Sequence, residues 1–80
     1  MNKLIITLHK DGTYSRQLLN YPSYDESLSA MYMDIASAIA NESVTSCMCE
    51  LITDSGRVVK CERWERTVET EWSENVAIVQ

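Results

Sequence analysis

His9-Lys10-Asp11-Gly12-Thr13-Tyr14 and Thr53-Asp54-Ser55-Gly56-Arg57-Val58 decide the architecture of this chain. Each places a glycine just after Asp or Ser, between two strand-like runs. Glycine enters the left-handed backbone region without a Cβ penalty, so both stretches predict tight hairpin turns. With three-residue loops ending at Gly12 and Gly56, the first turn pairs Leu8 with Tyr14 and Leu4 with Leu18. That register keeps the apolar residues of the two strands together.

Between the hairpins, Ser23-Tyr24-Asp25-Glu26 has the form of a capping box: the Ser23 hydroxyl can accept from the Glu26 amide. Leu28, Met31, Tyr32, Ile35 and Ile39 follow at helical spacing, so a helix is expected over Ser23 to Asn41. The expected fold class is α+β, in the order ββαββ(β). It is a mainly antiparallel sheet of four or five strands with one helix packed on one face. Eighty residues fit a single domain, 1–80, with residues 73–80 as either a short edge strand or a frayed tail.

In the second hairpin, the same loop length sets Cys49 opposite Cys61 and Leu51 opposite Val59, giving an apolar face toward the helix. The other face pairs Glu50 with Lys60, Met48 with Glu62, and Ile52 with Val58. Trp64 shares this second face. An exposed Trp beside apolar Met48 and Ile52, within a rim of Glu62, Glu65 and Glu69, has the composition of a partner-binding patch.

The net charge of −5 disfavours a nucleic-acid backbone, whose affinity comes from Lys and Arg at phosphates. It suits a protein partner with a basic surface. Three cysteines, no secretory leader and no membrane-spanning run point to a cytoplasmic protein with reduced thiols. Cys47 and Cys49 share a strand face roughly 6.5 Å apart, too far for a tetrahedral metal knuckle. His9 is the one histidine, beside a turn, with no nucleophile identifiable near it. Both glycines are taken by turns, so no phosphate loop can form. No cofactor, metal or catalytic set is expected, and enzyme status is improbable.

In size, charge and element order the chain resembles the small accessory proteins of phages and mobile elements. Among these are the anti-CRISPR inhibitors, which block basic nucleic-acid channels. The resemblance implies a non-enzymatic inhibitor of such a host complex. Two alternatives stand beside it. One is a structural domain that homo-oligomerises. The other is a single-stranded nucleic-acid binder using Tyr14, Arg16, Arg63, Trp64 and Arg66.

Overall fold

A computed structural model describes residues 1–67. The elements are β1 (Asn2–His9), β2 (Tyr14–Asn20), α1 (Tyr24–Ala40), β3 (Val44–Ile52) and β4 (Val58–Glu65). The four strands form one antiparallel sheet in the order β2-β1-β3-β4. The expected ββαββ architecture is therefore present. The expected fifth strand, Glu69 and Trp72 fall outside the described residues.

Both turns have the anticipated geometry. The His9 amide donates to the Thr13 carbonyl at 2.8 Å and the Gly12 amide to the His9 carbonyl at 3.0 Å. Thr53, Arg57 and Gly56 repeat that pattern at 2.8 and 2.9 Å. Gly12 and Gly56 sit at φ of 89° and 93°, where a Cβ would be strained. In the first hairpin Leu8 pairs with Tyr14 and Leu4 with Leu18, as the apolar pattern requires.

The second hairpin departs from expectation one step beyond its turn. Ile52 pairs with Val58, but Leu51 pairs with Lys60, so Val59 is an extra residue on β4. Such a bulge reverses the sidedness of every later residue on its strand. Cys49 therefore faces Glu62, Glu50 faces Cys61, and Met48 faces Arg63. The expected Cys49/Cys61 and Glu50/Lys60 pairs do not form. Lys60 instead bridges to Glu62 on its own strand at 3.3 Å. A second irregularity, between Leu8 and His9 on the β1/β3 ladder, accompanies an inward, buried Val44.

The helix begins as anticipated. The Ser23 hydroxyl accepts from the Glu26 amide at 3.2 Å, satisfying one otherwise unpaired donor. Asp25 and Glu26 stand in the first turn, where the helix dipole favours negative charge. Met31 is fully buried with Cys49 and Leu51, flanked by Leu28, Ile35 and Ile5. Ala38 forms a second cluster with Val44 and Cys47. Tyr32 and Ile39, expected on the inner stripe, are largely exposed, and Ser27 and Ala38 are buried instead. The Ser27 hydroxyl is satisfied by the Tyr24 carbonyl at 2.7 Å. Among the described residues, no helix is long and apolar enough to cross a membrane.

The helix also covers a charge. Lys3 is almost fully buried, and its ammonium donates to the Asp34 carboxylate and lies 5.4 Å from the centre of the Tyr21 ring. Burial works against the charge on Lys3, but the bonds to Asp34 and Tyr21 outweigh it and raise its pKa.

Candidate functional site

The residues facing the helix fix the sidedness of the sheet. Lys3 and Ile5 on β1, and Cys47, Cys49 and Leu51 on β3, meet α1. Side chains alternate along a strand, so Leu4, Ile6 and Leu8 point to the opposite face. Their ladder partners carry that face across the sheet. Leu4 lies between Leu18 and Glu50, Ile6 between Arg16 and Met48, and Leu8 between Tyr14 and Ser46. On β4, Cys61, Arg63 and Glu65 complete it.

β1 thus turns its more apolar side away from α1. An antiparallel sheet covered on one side normally shows the reverse, apolar inward and polar outward. Among the described residues no element covers this second face. Leu8, Tyr14 and Leu18 are 40 %, 64 % and 61 % exposed. The face forms a shallow open groove of about 840 Å³ around Ile6, Leu8 and Met48, bordered by Tyr14, Arg16 and Arg63. Its charged residues are Arg16, Arg63, Glu50 and Glu65, two of each sign. The face is neutral, although the whole chain carries −5.

The six residues expected to form one binding patch are not brought together. Met48 and Glu65 lie on the uncovered face, and Ile52 lies at its turn end, paired with Val58. Glu62 and Trp64 pair with Cys49 and Cys47, which places them on the helix side. Trp64 packs against the Ala38/Val44/Cys47 cluster. Glu69 lies outside the described residues. The Val59 bulge is the physical reason for the split. Without it, Trp64 would have shared a face with Met48.

Arg66 accounts for the setting of Trp64. Its guanidinium lies 4.7 Å from the centre of the Trp64 ring. Its Nε donates to the Val44 carbonyl at 3.0 Å, and its Nη2 to the carbonyls of Asn41 and Ile39 at 2.9 and 3.1 Å. The last turn of α1 has no basic residue of its own. Arg66, the residue just after β4, supplies the cation that the negative end of the helix dipole favours. No sequence signal marked this role, because the partners are backbone carbonyls some 25 positions away, such as Asn41 at |i−j| = 25.

The thiols divide by exposure. Cys47 and Cys49 are buried and Cys61 is exposed, and all three are free. Burial pushes the Cys49 thiol up to about 12 and raises that of Cys47, which keeps both protonated and unreactive at neutral pH. No group of three His, Cys, Asp or Glu side chains among the described residues is placed to hold a metal ion. The Asp11 carboxyl is held below its usual range by the Thr13 hydroxyl and amide, which serves the turn.

No protein-family model matches the chain, and neither does any curated protein or solved structure at a significant level.

Proposed function

We propose that this chain is a non-enzymatic protein-binding module and that its contact surface is the uncovered sheet face around Ile6, Leu8 and Met48. The carrying observation is the inverted alternation of β1, with Leu4, Ile6 and Leu8 directed away from the helix. Exposed apolar area of this kind is stabilised by association, and a shallow groove fits a protein surface better than a small substrate. Tyr14 and the two arginines at the margin are of the types enriched at interface hot spots.

Tyr14, Arg16 and Arg63 on one face also suit a single-stranded nucleic acid. Glu50 and Glu65 stand among them and the chain is acidic, so a protein is the better occupant. A basic partner was expected from a ring of carboxylates around Trp64. The face proposed here is balanced in charge and suits a partner that presents both signs.

Wild-type and Met48→Lys chains, used as bait in lysate of the native host, test the proposal. Met48 is half-buried on the uncovered face, so the charge should fall in the contact without entering the core. Proteins retained by the wild type should be lost with the variant, while its circular dichroism stays unchanged. Retention of the same proteins by both would refute this surface.

A further inference from the structure

Building on the reading of the uncovered face as a protein contact, we propose that its occupant is a second copy of this chain, packed sheet against sheet about a two-fold axis perpendicular to the strands.

The ladder registers lay the groove out in two adjacent rows. One runs Tyr14, Leu8, Ser46, Glu65, and the other Arg16, Ile6, Met48, Arg63. A two-fold axis lying across the strands, midway between these rows, places each row over the other row of the partner copy. Glu65 then stands over the partner copy's Arg63 and Arg63 over its Glu65. Tyr14 stands over Arg16 and Leu8 over Ile6, each contact occurring twice. This is the reciprocal pattern that an isologous interface requires. It yields two ion pairs, two cation–π stacks and a centre of Leu8, Ile6 and Met48, with Ser46 over Met48.

Charge favours this occupant. Two chains of −5 repel each other, whereas the two rows carry Arg16, Arg63 and Glu65, so the contact itself is not acidic and its Arg63 and Glu65 signs complement themselves. The size sets the strength. The axis lies toward one end of the strands, so the overlap covers four strands about 4.8 Å apart over some four to five residues each, roughly 300 Å² of flat sheet per copy. Even with side-chain relief, two such faces stay below about 1,200 Å² in total, in the range of weak, transient interfaces. The dimer should therefore be reversible and concentration-dependent.

Sedimentation velocity over a concentration series tests the proposal, with three variants at positions that are exposed in the single copy. The wild-type mass should rise from one copy to two as concentration increases. Arg63→Glu alone, or Glu65→Arg alone, sets like charges over each other and should weaken dimerisation about tenfold or more, some 1.4 kcal/mol. The double swap Arg63→Glu/Glu65→Arg restores the opposed pairs and should recover wild-type association. A wild type that stays a single copy up to about 1 mM, the weak limit of useful affinity, overturns the second-copy proposal. If such a single-copy protein still retains host proteins that Met48→Lys loses, the broader reading of the face stands. A dimer indifferent to both single swaps places its interface elsewhere and overturns the proposal.

Discussion

Replacing Arg66 with alanine should be among the most destabilising changes available outside the two buried clusters. The guanidinium bonds the Val44 carbonyl, which is part-buried, and the Ile39 and Asn41 carbonyls, which are exposed. A bond from a charged group to a part-buried acceptor contributes about 1.5 kcal/mol, and water can replace most of what the exposed carbonyls lose. A cation at the helix C-terminus adds roughly 0.5 kcal/mol, and stacking on an aromatic ring roughly 0.5–1 kcal/mol. Arg66→Ala should therefore cost about 2.5–3 kcal/mol. In a domain of this size that lowers the melting temperature by roughly 10–20 °C. Arg66→Lys keeps the charge but cannot span carbonyls on both the helix end and β3, so it should recover about half of the loss. Urea unfolding followed by far-ultraviolet circular dichroism measures both variants. A change of less than about 0.5 kcal/mol for Arg66→Ala would refute the clamp, being within the range of an ordinary surface substitution. A lysine variant equal to the wild type would reduce the role of Arg66 to charge alone.

Stability should fall on the alkaline side. Cys49 and Lys3 both have folded pKa values raised above their unfolded ones, so their contribution is complete below the unfolded values and is lost as pH rises. The unfolded thiol ionises first, near pH 8.5–9, and the folded one only at about 12. Several kcal/mol, on the order of 4, should disappear over that window. Cys49→Ala should flatten the decline in urea midpoint between pH 9 and 11, and an unchanged slope would show the thiol to be irrelevant. The Lys3/Asp34 pair should behave asymmetrically. Asp34→Ala leaves the Lys3 ammonium buried without its carboxylate and should cost about 3 kcal/mol, whereas Lys3→Met/Asp34→Leu should lie near the wild type. Equal midpoints for the single and double variants would show that the lysine escapes to water.

The first hairpin was fully legible because Gly12 and the apolar alternation of β1 and β2 agree on one register. The second was legible only as far as Val58. Val58 and Val59 are both β-branched, and nothing in their chemistry says that one of them is unpaired. From that point the inferred faces of Cys61, Glu62 and Trp64 were inverted, and the Trp64-centred patch was inferred with them. The helix presented a similar ambiguity. Neither Asp34 nor Lys3 carries a signal for burial when taken singly, and only their pairing allows both beneath the helix. The inner stripe therefore ran through Ser27, Asp34 and Ala38 rather than through Tyr32 and Ile39. The uncovered face was hidden for a simpler reason. The apolar side of β1 was visible in the sequence, but which side the helix would take was not.

The strand order has a consequence for the time course of folding. Each hairpin closes over three loop residues, and contacts so close in sequence form on the microsecond scale. The two halves meet along the β1/β3 seam, where Asn2 must find Ile52. Even the nearest pair of the seam, His9 and Val44, leaves β2 and α1 together as the loop being closed, and its entropy is lost before the seam returns any bonding. The transition state should accordingly be a seam half-zipped between two finished hairpins. Changes in either turn, already formed by then, would mainly slow folding, and substitutions at Ile5 and Cys49, which pair across the seam, would divide their effect between slower folding and faster unfolding.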